Sequence, residues 1–166
     1  MGTARPILYL DTCAIIEVYR VKCWPQLVNR YELHTVQKCR EELESGNPYD
    51  PDYISVDLQQ IDETMVIHEL VPKQKVAAAV QSATLGALDE GEKDLLSWCA
   101  DQAPKAMIIT TGDRAAIVAA CELGLRENLR SLEEIATAIG VRANFQKHYQ
   151  RIWLTKICTK YALGYI

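Results

Sequence analysis

Several things the chain lacks narrow its class before any motif is read. Its six cysteines, at positions 13, 23, 39, 99, 121 and 158, include no Cys-x-x-Cys pair, so structural zinc and thioredoxin-like redox chemistry both lack their spacing. Most lie in apolar stretches, where free thiols pack as small hydrophobes. That usage suits a reducing cytosol better than a disulfide scaffold. No run approaches the ~20 apolar residues that span a bilayer. Met1 to Pro6 leads straight into a short apolar run, without the longer apolar region of a signal peptide. The expectation is a cytoplasmic protein with no membrane partner. Internal repeats, low-complexity tracts and linkers are also missing. The Asp-x-Asp of phosphoacceptor phosphatases is absent, because position 13 after Asp11 is Cys.

The longest stretch without acidic residues lies at the end of the sequence. Val141 to Ile166 holds no Asp or Glu but five of the 18 basic residues: Arg142, Lys147, Arg151, Lys156 and Lys160. The other 13 basic residues share the first 140 positions with all 22 acids, so the net charge of −4 hides an acidic body with a basic tail. A length of 166 residues fits one core, and 49% hydrophobic with 24% charged residues is a globular composition, not a disordered one.

Ile7-Leu8-Tyr9-Leu10 and Met107-Ile108-Ile109-Thr110 read as buried parallel strands. Leu33 to Val36, Tyr53 to Val56 and Met65 to Ile67 are shorter strand-like pieces. Helices are expected over Cys13 to Arg30 (with a break or bend at Trp24-Pro25), Gln37 to Glu44, Lys73 to Ala83, Glu90 to Ala100 with Asp89 as N-cap, and Arg114 to Leu123. Ser131-Leu132-Glu133-Glu134 has capping-box spacing and opens a helix to Ala138; a final helix is expected over Asn144 to Tyr161. Alternation of this kind predicts an α/β domain with a central, mainly parallel sheet over residues 1–140, and a basic, aromatic helical extension over 141–166.

Two of those strands end alike: apolar run, Asp, helix. Ligands of parallel sheets bind outside the carboxyl ends of the strands, so Asp11 and Asp113 are expected on one rim. Two carboxylates brought together repel unless a cation or proton compensates them, and Mg²⁺ or Mn²⁺ suits oxygen ligands. Either Asp alone reads equally as an N-cap. Adjacent helical positions point about 100° apart, so one of Glu41 and Glu42 at most faces the crevice. Glu92 lies on the stripe of Leu95, Leu96 and Cys99, whereas Asp94 lies over Trp98 and Asp101. An acid on a buried stripe is misplaced unless it is paired or bound to metal, which favours Glu92 without removing Asp94.

Taken together, these segments resemble the PIN domain family, the PilT N-terminus-like nucleases. Leu8-Tyr9-Leu10-Asp11-Thr12 is similar to the family's opening motif, and Glu42-Leu43-Glu44-Ser45-Gly46 to its Glu-Leu-x-x-Gly. Leu88 to Leu96 resembles the Gly-Glu helix start of one subgroup, and Ile108 to Ala115 the late strand with Thr-x-Asp. The resemblance spans residues 7–138 and departs from the family in a longer Glu92-to-Asp113 interval, which leaves the third acid open between Glu92 and Asp94. It implies a three-layer α/β/α fold and a metal-dependent ribonuclease of the VapC toxin type, with RNA as substrate, a small antitoxin protein as partner and homodimerisation. Asp11, Glu42, Glu92 and Asp113 are then catalytic; Asp11, Glu92 or Asp94, and Asp113 hold Mg²⁺ or Mn²⁺. Thr12 and Thr111 would hydrogen-bond the carboxylates, and Arg114 touches a phosphate or is a solvated surface residue.

The tail lies outside the resemblance. Its first reading is an amphipathic helix packing Ile152, Trp153, Ile157 and Leu163 on the body or on a second subunit. In the second, Lys147, Arg151 and Lys156 track RNA phosphates while aromatics stack on bases. The rival function is a PIN-like module that binds protein without hydrolysis.

Overall fold

The computed structural model describes residues 2–166. Four strands, β1 (Ile7–Leu10), β2 (Glu32–Val36), β3 (Met65–His68) and β4 (Ile108–Thr110), form one sheet in the order β3-β2-β1-β4. Every pairing is parallel, and β1 sits between β2 (Leu8 opposite Leu33) and β4 (Leu10 opposite Thr110). Helices α1 (Thr12–Arg20), α2 (Trp24–Arg30), α3 (Gln37–Glu44), α4 (Leu58–Thr64), α5 (Pro72–Gln81), α6 (Glu90–Gln102), α7 (Arg114–Glu122), α8 (Leu132–Ala138) and α9 (Arg151–Ala162) flank it. The result is a three-layer α/β/α fold. No described helix is long and apolar enough to cross a membrane.

Strand alternation builds the two cores. Leu8, Leu10 and Leu33 face one side with residues of α1, α2, α4 and α8, among them Ile15, Leu27, Ile61 and Leu132. Tyr9, Val36 and Ile109 face the other, with Leu95, Leu96 and Cys99 of α6, Ile117 of α7 and Ile157 of α9. The chain moves outward from β1 to β2 and β3, then returns to place β4 on the opposite flank of β1. The strand order therefore reverses between β1 and β4, the position at which open parallel sheets take ligands in a crevice outside the carboxyl ends.

Three expectations from the sequence need correction. The break or bend expected at Trp24-Pro25 falls just before it, where Lys22 turns left-handed at φ 59° and divides 13–30 into α1 and α2. Pro25 lies in the first turn of α2, where a missing N–H costs nothing, and is no break. Tyr53 to Val56 is unpaired loop, whereas Leu58–Thr64, unassigned in the sequence, is helix with the Asp57 side chain accepting the Gln60 N–H at 3.0 Å. The final helix begins at Arg151, not Asn144. Residues 144–150 instead form a loop with one 3-10 turn, Lys147–Tyr149, and bury Phe145 and Tyr149 in the core. The Ser131 capping box forms with both its bonds.

Candidate active site

Asp11 and Asp113 follow neighbouring strands and play the same local part. Asp11 Oδ1 accepts the Ala14 N–H at 2.8 Å, and Asp113 Oδ1 accepts the Ala116 N–H at 2.8 Å, so each caps the helix it precedes. Their settings differ. Asp113 is exposed, while Asp11 is 2% exposed and its Oδ2 is buried without a hydrogen-bond partner. An unpaired buried carboxylate oxygen costs several kcal/mol unless it takes up a proton or meets a cation. The Asp11 carboxyl is accordingly pushed up to about 6, by burial first and also by the charges of Asp113 and Glu42. The Thr111 hydroxyl and the Ala14 N–H oppose the rise. Thr111 is near enough to act on that charge but makes no well-formed bond to Oδ2; its oxygen accepts the Asp113 N–H at 3.2 Å.

Glu92, on the first turn of α6, belongs to the same cluster. Burial is the main force raising it to about 8, with the charges of Asp11, Asp113 and Asp89 adding to it. These acids repel one another, and burial strengthens the repulsion. Asp94 is not among them. It points to the far side of α6, where its Oδ1 faces Lys75 Nζ at 2.9 Å. The structure thus brings Glu92, and not Asp94, toward Asp11 and Asp113; Asp94 Oδ1 makes no well-formed hydrogen bond, but the Lys75 ammonium lies beside it.

Glu42 is held differently again. Its Oε2 accepts the Thr12 hydroxyl at 2.7 Å, and its Oε1 accepts the Gly91 N–H at 3.0 Å. That N–H is one of the donors a helix start leaves unpaired, so Glu42 caps α6 from another helix. Asp89 stands at the N-cap position but makes no side-chain capping bond, contrary to expectation. Gly91 is required for this arrangement: a Cβ there would overlap Glu42 Oε2 and lie 3.0 Å from Cys39 Sγ.

Three contributors were not assigned to the site from the sequence. Asp89 adds its charge to the Glu92 environment. Tyr149, from the tail, is buried beside the acids; burial raises its phenol, and Asp11, Cys13, Glu17 and Glu92 raise it further. Gly112 makes room for the tail, since a Cβ would lie 2.6 Å from both the His148 and Tyr149 rings. Only the glycine before Asp113 hinted at such an approach.

Among the described residues, no three carboxylate, imidazole or thiol groups are drawn together tightly enough to hold a metal ion as they stand. The donor set nonetheless suits a hard divalent cation. It is all oxygen, it is negatively charged, and it includes the orphaned Asp11 Oδ2. Of the RNA-contacting candidates, Arg114 adjoins Asp113, and Lys147 and Lys156 share a groove with it. Arg151 does not join them. Its N–H is donated to Glu133 at 3.1 Å and its guanidinium lies 3.7 Å from Glu134.

No family model matches the chain, and no curated protein matches it either.

Proposed function

We propose that the chain is a metal-dependent ribonuclease whose active site is the crevice between the carboxyl ends of β1 and β4. The observation that carries this reading is Asp11, a buried carboxylate with one unpartnered oxygen, set among acids that raise one another. A buried carboxyl raised by burial and by other acids, with no cation beside it, is the kind of perturbed group that gathers at functional sites. Asp11, Glu92 and Asp113 would hold Mg²⁺ or Mn²⁺, which when bound supplies a hydroxide at neutral pH and neutralises charge on the phosphoryl oxygens. The chain's own residues do the rest. Ala14 and Ala116 N–H groups fix one oxygen of Asp11 and of Asp113, leaving the second oxygen of each for the ligand. Glu42, oriented by Thr12 and Gly91, buttresses the start of α6 and so positions Glu92.

The test is cleavage of single-stranded RNA with Mg²⁺ or Mn²⁺ by the wild type and five variants. Asp11→Asn, Glu92→Gln and Asp113→Asn are expected to lose at least a hundredfold in rate, a conservative loss for a cluster that acts as a unit. Glu42→Gln should lose less, and Asp94→Asn should stay near wild type. Mn²⁺ should also raise the melting temperature of the wild type but not of Asp11→Asn, by linkage. Equal activity in all variants sinks the proposal. A specific observation favours the rival reading of a silent protein-binding module: the acids are not gathered into a ready ligand set. Absence of both cleavage and a Mn²⁺-dependent stability gain would decide for it.

A further inference from the structure

The acid-free tail builds a surface next to the crevice. Arg114 at the start of α7, Lys147 in the 3-10 turn, and Lys156 and Lys160 of α9 line a groove of about 380 Å³, with Trp153 and Ile152 between them. That volume falls within the range of about 300–1,000 Å³ typical of ligand sites. No acidic side chain lines the groove. Among the described residues, none of its four cations has a carboxylate in salt-bridge range. This is unlike Arg151, one position before the groove's Ile152, which Glu134 compensates.

The groove also adjoins the crevice. Arg114 follows Asp113 directly, and Lys147 precedes His148, whose ring packs against Gly112 and lies edge-on to Trp153 at 6.2 Å. Trp153 is half-buried and Ile152 is 75% exposed, so the floor offers an apolar and aromatic face ringed by uncompensated positive charge.

We propose that this groove binds a stretch of single-stranded nucleic acid, with phosphates on Arg114, Lys147, Lys156 and Lys160 and a base against Trp153. A duplex hides its base faces and would use the cations alone; an unpaired strand uses both. The acidic crevice and the basic groove then divide the work: the groove holds the polyanion that the crevice would repel. The assignment of this strand as substrate rests on the ribonuclease reading, but the binding itself does not.

Binding is therefore measured in EDTA, where no cleavage occurs, by fluorescence anisotropy with a labelled single-stranded RNA of about 12 nucleotides. Affinity should fall with salt, and Lys156→Gln/Lys160→Gln should shrink the log–log slope by about 1.4. Trp153→Leu should weaken binding at least fivefold at unchanged slope. Arg151→Gln, which lies outside the groove, should bind like the wild type. If Trp153→Leu loses its cooperative thermal transition, the lysine pair alone decides. Wild-type affinity and slope in that pair overturn the proposal, as does a duplex bound as tightly as the single strand. Tight RNA binding in EDTA without cleavage in Mn²⁺ removes the ribonuclease reading and leaves the groove standing. Cleavage with groove variants that match the wild type in KM does the reverse.

Discussion

Helix α1 carries two buried acids six positions apart, Asp11 as its cap and Glu17 near its end, exposed by only 2% and 3%. The chain treats them in opposite ways. Glu17 accepts Arg20 Nε at 2.7 Å, Arg20 Nη2 at 2.6 Å and the Gln146 N–H at 2.8 Å. Burial works to raise its carboxyl, but the Arg20 hydrogen bonds, the Gln146 N–H and the guanidinium charge outweigh it and hold it below the usual range. Asp11 has one backbone donor, no cation and more acids around it, and its carboxyl rises. A protein that pairs one buried acid so fully had the means to pair the other. The contrast separates an acid that fastens the fold from one left open for a ligand.

The largest expected effect comes from breaking the fastened end. Glu17→Ala strands the Gln146 N–H and removes the partner of Arg20, which also donates to the Asn144 carbonyl at 2.8 Å. Loss of one member of a buried pair costs about 3 kcal/mol, at the lower end of the usual range because Arg20 is 30% exposed. Urea unfolding should report that loss, and the stretch before α9 should become protease-sensitive. Replacing both members with apolar residues, Glu17→Met/Arg20→Leu, should recover part of it. A loss below about 1 kcal/mol in Glu17→Ala would mean the pair is ornamental.

The open end should respond with the opposite sign. Asp11 is held at about 6 in the fold against about 3.8 in the unfolded chain, so the unfolded state gives up the proton first as pH rises. Its contribution to stability is full below pH ~4 and is lost between pH ~4 and ~6. In Asp11→Asn that loss disappears. Relative to wild type, the variant should gain nothing near pH 4, then about 2 kcal/mol by pH 7, somewhat under the ~1.4 kcal/mol per pH unit limit because the amide is buried. Glu17 works the other way, losing stability as pH falls, so the difference between the two unfolding profiles is the quantity to read. Removing the Asp11 charge should also lower Glu92 from about 8. A variant less stable than wild type at pH 7 would make Asp11 a structural acid.

Sequence pattern reached the sheet and its acid rim because both depend on local rules. An apolar run followed by Asp and a helix locates a strand end and a cap together, and the parallel sheet brings the two ends to one edge. Ser131 to Glu134 was legible for the same reason. What escaped was set by distant partners. Asn144 to Gln150 was expected to begin the last helix, but the Gln146 N–H is drawn to Glu17 and Tyr149 is drawn under Gly112, and those contacts leave only a single 3-10 turn at Lys147–Tyr149. The α4 helix was marked by Asp57 and Gln60 at capping spacing, yet it is only seven residues long amid turn-forming neighbours. Helix face separated Glu92 from Asp94 in the sequence, but the Lys75 ammonium that lies beside Asp94 comes from α5 and no local pattern contains it.

Glu42 is the intermediate case, held by neutral donors and no cation, and Gly91→Ala asks which kind of acid it is. An alanine Cβ would meet the Glu42 carboxylate and crowd Cys39 Sγ. The side chain is flexible enough to swing aside, at the cost of its bond from the Gly91 N–H. A hydrogen bond to a charged group is worth about 1.5–3 kcal/mol, and the better helix propensity of alanine returns up to about 1 kcal/mol. The net loss should be about 1 kcal/mol, the smallest of the three effects. Shortening the acid in Gly91→Ala/Glu42→Asp makes room for the methyl group, so stability should return if the clash alone is responsible. Activity then separates the roles. If Glu42 acts only by seating α6, RNA cleavage should return together with stability in the double variant. If its carboxylate meets the substrate or an attacking water, cleavage stays low while the fold recovers, and Glu42 joins Asp11 among the acids left open.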